Sequence, residues 1–321
     1  GGLPEQVPYL EWRHSDYPGR RSCQSCHMPV VRDSVAVTGV LGQPRAEVSR
    51  HVFRGGNFFL LRMLNRYMAE LGVRALPEQL TATVARTEEH LRTRSARLSI
   101  EDARLEDGIL SARIAVENLA GHKLPTAYPS RRAWLHVTVR DGRGGTVFES
   151  GALGPDGRIT GNDNDDDPAR YEPHYRRIED DAQVQIYEAI MVGPDDGVTT
   201  GLLTAVRFVK DNRVLPSGFD KASAPEDVAV HGEAAGDGDF DGGSDRVLYA
   251  VDPGPAPGPF TVEAELWYQP IGFRWAHNLD GYGAFETERF LRYYDSMSEV
   301  SGIVLARAGA TVGAEPGAPR P

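Results

Sequence analysis

The chain has 321 residues, 40% of them apolar, and a formal charge of −11. That length suggests one to three domains with an ordinary packed core. The acidic balance argues against a nucleic-acid partner, and no apolar run of about 18 residues is present to cross a membrane.

The charge is unevenly spread. Residues 1–97 hold 14 Arg, no Lys and 9 acidic residues, a balance of +5, and the remainder balances at −16. A basic front and an acidic back can orient a molecule towards partners; a solvated surface without partner meaning is an equal reading. The chain starts at Gly1 without a Met, and no signal peptide is visible. This fits a processed, secreted form, and a trimmed chain would look the same.

Residues 1–50 are irregular, because Pro4, Pro8, Pro18, Pro29 and Pro44 interrupt any long periodic element. Within them lies Cys23-Gln24-Ser25-Cys26-His27, which contains both cysteines of the chain. Two thiols three positions apart can add to the two vinyl groups of one haem, and His27 then lies under the iron as proximal ligand. A thioredoxin-like redox pair would want a strand before it and a helix after it, and Pro29 closes the helix off. Half a zinc site would want a second Cys or His pair at short spacing, and none follows. The motif therefore predicts one covalent haem c, and no structural disulfide is expected. Bacteria attach such haems outside the cytoplasm, so the expected location is periplasmic or extracellular.

The sixth iron ligand decides the chemistry. A second His gives a fairly low-potential electron carrier, a Met raises the potential, and an open position admits a small ligand. His51 is the first distal candidate. It opens His-Val-Phe-Arg-Gly-Gly-Asn-Phe-Phe, where Gly55 and Gly56 let the backbone approach something flat and Phe53, Phe58 and Phe59 could line a haem edge. His14 is a weaker distal candidate and could instead bond a propionate. Met63 and Met68 stand behind these.

From Asn57 the pattern turns helical, with Leu60, Leu64, Tyr67, Met68 and Leu71 at three- and four-residue steps and Gly72 as a stop. A second helix starts at Pro77, with Leu80, Val84 and Leu91 on one face. His90 lies beside that stripe; it is a further distal candidate and reads more readily as a surface residue. After Leu98 the period changes to two, in Ile-Leu-Ser-Ala-Arg-Ile-Ala-Val-Glu-Asn-Leu from Ile109 and in the runs around Trp134, Ile186, Leu248 and Val262. Such strands, separated by Gly, Asp, Asn and Pro, suggest an antiparallel β-sandwich. Phe285–Met297 reads as a helix, and the Pro-rich end holds no core-forming residue.

The segment Gly121–Trp134 is dense in chemistry. His122 is an alternative distal candidate, and Arg131 and Arg132 could pair with haem propionates through bidentate hydrogen bonds. His174 sits in a similar loop and reads as structural more readily than as a ligand. Asp237, Asp239 and Asp241 resemble a calcium loop, but its twelfth position is Leu248 rather than Glu, so calcium is a weak candidate.

Taken together, Tyr9–Pro29, His51–Asn57 and Gly121–Asp141 resemble the last haem module and appended β-domain of bacterial multihaem c-type cytochromes. Later segments around Tyr171, Ile186, Lys210–Lys221 and Val262–Trp275 are also similar, so the likeness covers most of residues 8–275. It implies electron transfer and haem-associated roles for His51 and His122. The chain departs from the pattern in having one C-x-x-C-H motif rather than several, and Ala127 stands where Gly is expected.

The expected architecture is α+β: a loop- and helix-rich haem module at 1–97, a β-sandwich at 98–310 and a flexible tail at 311–321. The expected function is that of a monohaem cytochrome c for electron transfer, with a redox protein as partner. The alternative is an accessory subunit docking through its β-domain into a larger redox or photosynthetic membrane complex. An enzyme with an open haem site is the minor reading, since histidines near the motif are plentiful.

Overall fold

Asn57 ends the irregular N-terminal stretch by capping a helix: its side-chain oxygen accepts the backbone N–H of Leu60 at 3.0 Å. The computed structural model, which describes residues 3–313, contains five helices that bear on the site. These are α1 (Pro8–Arg13), α2 (Cys23–His27), α3 (Phe58–Arg66), α4 (Pro77–Arg94) and α5 (Phe285–Asp295). Between α2 and α3 the chain forms only two-residue ladders, Val30–Val31 with Val48–Ser49 and Val35–Ala36 with Pro44–Arg45. Pro29 and Pro44 and the scarcity of buried apolar residues leave this stretch nothing larger to form.

The strands follow α4 directly. β1 (Ala96–Glu106) and β2 (Ile109–Asn118) form a hairpin whose two turn residues, Asp107 and Gly108, have φ of 50° and 80°. An Asp-Gly pair with both φ positive matches the right-handed strand twist. β2 also pairs with β5 (Ser244–Val251), and the short strand β4 (Arg177–Ile178) adds to β5 in parallel. In the second large sheet, β3 (Arg132–Arg140) and β6 (Phe260–Gln269) are antiparallel, and β7 (Ile303–Val312) covers the other edge of β6. A smaller sheet is built on Ala189–Val192, with all four residues buried.

Both large sheets contribute to one apolar core: Ile114, Val116 and Tyr249 from the first, and Leu135, Val137 and Leu266 from the second. Phe58, Phe59, Met63 and Leu91 of α3 and α4 belong to the same core. The boundary expected near residue 97 is thus a change of secondary structure, while the core runs across it. The helix expected near the C-terminus is α5. Thr311 and Val312 lie in β7, so the expected tail begins no earlier than 313, and residues 314–321 lie outside the described ones. Among the described residues no helix is long and apolar enough to cross a membrane.

Candidate functional site

Helix α2 is a little over one turn long and carries the whole Cys23–His27 motif. Ser22 caps it by accepting the N–H of Ser25 at 3.3 Å. Both thiols are free and exposed, so both are open to covalent attachment from solvent. His27 is clamped twice to Arg54: the Arg54 N–H donates to the His27 carbonyl at 3.0 Å, and His27 Nδ1 donates to the Arg54 carbonyl at 2.5 Å. A proton on Nδ1 leaves the lone pair on Nε2, the state an imidazole needs to ligate a metal.

Two further imidazoles converge on His27. The His122 ring lies 6.1 Å away, centroid to centroid, and only 16° from parallel. Its Nδ1 donates to the Lys123 carbonyl at 2.9 Å, again leaving Nε2 with the lone pair. The His90 ring lies 5.7 Å from His27, tilted by 54°. Burial lowers the His90 pKa to about 4, helped by His27 and Arg54. Burial also lowers that of His122, so both stand neutral near pH 7. His90 Nδ1 and Arg54 Nε are buried without a protein hydrogen-bond partner. Exposed thiols, two anchored imidazoles with free Nε2 and an unspent guanidinium nitrogen together fit a covalent haem with two histidine ligands and an anionic propionate.

The loop bearing His122 reaches the motif through close backbone packing. A Cβ on Gly121 would come 3.1 Å from Trp12 Cδ1 and 3.2 Å from Tyr17 Cγ. Trp12 and Tyr17 are themselves tied to the Arg21 and Leu119 carbonyls at 3.0 and 2.9 Å. Gly121→Ala should therefore cost about 1–3 kcal/mol of stability through overpacking, read as a lower midpoint in urea unfolding. An unchanged midpoint would show that the two aromatic rings yield freely.

The other sequence candidates lie elsewhere. His51 is exposed and stacks on Phe53 at 6.0 Å. Its segment serves the site through the Arg54 carbonyl instead. Gly56 does permit a close approach, but to Tyr268 and Arg131 side chains, while a Cβ on Gly55 would meet nothing. Phe58 and Phe59 are fully buried in the shared core. His14 Nδ1 is spent on the Leu10 carbonyl at 2.7 Å, a local helical contact. Arg131 lies near His122, with one guanidinium nitrogen on the Thr126 carbonyl at 3.1 Å. Arg132 is buried and grips Asp165 in bidentate fashion at 2.7 and 2.9 Å, so the structure corrects its expected role on a propionate. His90, read from sequence as a surface residue, is half-buried at the site; its neighbours Thr87 and Leu91 on the buried face of α4 were the available signal.

The three acids of the calcium reading diverge. Asp239 is exposed and lies 3.4 Å from Arg113, and Asp241 is exposed and accepts the Gly242 N–H. The Lys221 ammonium sits among the carbonyls of Ala234, Asp237 and Phe240, so this loop already holds a cation of its own. Asp237 turns inward instead and meets His174 and Asp245, all three buried and within 4.8 Å of one another. His174 Nδ1 accepts from the side-chain amides of Gln185 at 2.9 Å and Asn212 at 3.1 Å. Backbone N–H groups of Tyr175 and Glu188 fix the oxygens of those amides, so neither can turn over. The His174 proton therefore sits on Nε2, where it donates to Asp237 at 3.1 Å. A metal ion would need that lone pair, so the arrangement suits a proton rather than a cation.

Asp245 takes the second proton of this cluster. Its Oδ2 accepts from Tyr187 at 2.7 Å, its Oδ1 is unpartnered, and burial pushes its pKa up to about 7. Burial lowers that of His174 to about 4, against the pull of Asp237. Between these values the folded state holds the Asp245 proton that the unfolded chain releases, which erodes stability as pH rises. The folded state also refuses the His174 proton that the unfolded chain takes up below about 6.5, which adds stability as pH rises. The two slopes cancel between about pH 4 and 6.5. Asp245→Asn should unmask the histidine and steepen the rise by about 1.4 kcal/mol per pH unit. Chemical unfolding at pH 4.5, 5.5 and 6.5 checks this, and identical slopes in both proteins would refute it.

No protein-family model matches the chain, and no curated protein matches it in sequence. Among solved structures it is similar to the crystal structure of a penta-haem cytochrome c552 from Thermochromatium tepidum, with 14% identity and a TM-score of 0.52. The match covers 97% of this chain and 53% of that one, so the chain spans about half the length of its structural neighbour. With the Cys23–His27 helix and its imidazoles already placed, the comparison gives the architecture a name: a multihaem c-type cytochrome-like fold.

Proposed function

We propose that the chain binds one haem c through thioethers from Cys23 and Cys26, with His27 and His122 as the axial pair, and that it transfers electrons in the periplasm or outside the cell. The observation that carries this is the parallel placement of the His27 and His122 rings at 6.1 Å, each with Nδ1 spent on a backbone carbonyl. The bound haem would supply one-electron exchange at its iron. The chain's own part is to hold both imidazoles fixed in rotation through their Nδ1 bonds, and to keep the attachment helix at the surface, where an edge is within reach of a partner. Residues 12–57 hold seven arginines against three acids, which would steer an acidic redox protein towards that edge. Arg54, with its buried Nε unpartnered, and Arg131 would meet the propionates.

The test is to express the chain with a secretion leader in a cytochrome c-maturing host. The intact protein should carry one covalent haem mass and show sharp c-type bands when reduced. Cys23→Ala with Cys26→Ala should lose the covalent mass entirely; a haem mass that survives would sink the assignment. A second reading, an accessory subunit of a larger assembly, draws on the −16 balance of residues 98–321 and on the match to only half of a five-haem protein. A haem that fails to equilibrate with its neighbours in a redox titration of the intact assembly would favour it.

A further inference from the structure

Beneath the site lies a buried set of four charges whose balance is zero: Glu11, Lys123, Asp211 and Arg213 are each at most 7% exposed. Arg213 donates to Glu11 at 3.0 Å and to both oxygens of Asp211 at 2.8 and 2.7 Å. Lys123 Nζ donates to Asp211 at 2.7 Å and to the Ala229 carbonyl at 3.0 Å. The second oxygen of Glu11 accepts the Lys123 backbone N–H at 3.0 Å and the Thr126 hydroxyl at 2.5 Å. Glu11 belongs to α1 and Asp211 and Arg213 to a segment about two hundred residues later, so long loops are closed to assemble the set.

Ordinary packing does not call for four buried charges, because apolar side chains of the same volume are often as stable or more so. Lys123 joins this set to the site: Glu11 and Asp211 both hold it, and its carbonyl accepts from His122 Nδ1. Residues 122–124 are fixed at every polar backbone point that the surroundings reach. Asn118 donates to the His122 carbonyl at 2.8 Å, Glu11 takes the Lys123 N–H, and Leu124 exchanges two hydrogen bonds with Val214 at 2.9 Å. We infer that Glu11, Lys123, Asp211 and Arg213 are positioning residues that set the orientation and donor strength of His122 as an axial ligand. The inference rests on the reading of His122 given above. A firmly held Nδ1–H···O=C bond raises the basicity of an imidazole and favours the oxidised metal. Asp211 supports the set electrostatically: its own burial opposes ionisation, yet Arg213 and Lys123 hold its pKa well below the usual carboxylate range.

The experiment compares the haem-loaded wild type with Glu11→Gln and His122→Ala, using the midpoint potential and the low-temperature EPR spectrum of the oxidised form. Far-UV circular dichroism confirms folding. Glu11→Gln should raise the potential and change the spread of g values, because it removes a negative charge and leaves one acceptor oxygen for the three donors of Arg213, Lys123 and Thr126, which loosens the set that holds His122. If that variant does not fold, Thr126→Val removes the hydroxyl donor without stranding a charge, and the same two readouts decide. A folded variant with wild-type potential and g values, however much its melting point falls, would show the set to be merely structural. A His122→Ala protein that stays low-spin like wild type would overturn the ligand reading itself, and the positioning role with it.

Discussion

His122→Ala should abolish the low-spin haem spectrum almost completely, leaving a high-spin form that added imidazole returns to low-spin. The expectation follows from geometry. His122 and His27 are near parallel, and both carry their Nδ1 proton on a backbone carbonyl, so both present Nε2. His90 is the close rival, nearer in centroid distance but tilted, with an Nδ1 that has no partner to fix its tautomer. His90→Ala should therefore leave the spectrum low-spin. The reverse pattern, with His90→Ala high-spin and His122→Ala unchanged, would exchange their roles. His51→Ala and His14→Ala should change nothing visible, since one ring is exposed against Phe53 and the other is bonded within its own helix turn.

The motif Cys23–His27 was legible from sequence because its chemistry is local: three side chains on one short helix. The strands were legible for the same reason, since alternation is a property of neighbours. β1 was harder to see, because Ala96–Glu106 buries only its first residues and carries charges along the rest. The proposed distal side was legible only as a choice among candidates: His122 was one of them, but nothing local ranked it above His51. His51 is close in sequence to the motif, and loop closure favoured it. What the fold delivers to His27 from that segment is the carbonyl of Arg54, a group every residue has and no sequence marks. The same holds for Arg132. Its neighbour Arg131 lies near His122, but strand alternation sends consecutive residues to opposite faces, and β3 begins at Arg132.

That alternation leads to the largest expected stability effect. Arg132, the first residue of β3, is 4% exposed, and its partner Asp165 is 0% exposed. Besides its two bonds to Asp165, the guanidinium reaches Gln269 at 2.8 Å and the Gly157 carbonyl at 3.2 Å. Arg132→Met would leave the buried Asp165 carboxyl without its counter-charge. Removing one member of such a pair costs about 3–5 kcal/mol, to be read as a fall in the unfolding midpoint with no change of slope. Adding Asp165→Leu should recover much of the loss, because two apolar side chains of similar volume leave no stranded charge. A propionate partner would behave differently: its loss would move the haem potential, while the second substitution would restore nothing. The two roles thus predict opposite outcomes for one pair of variants, and the bidentate contact with Asp165 selects the first.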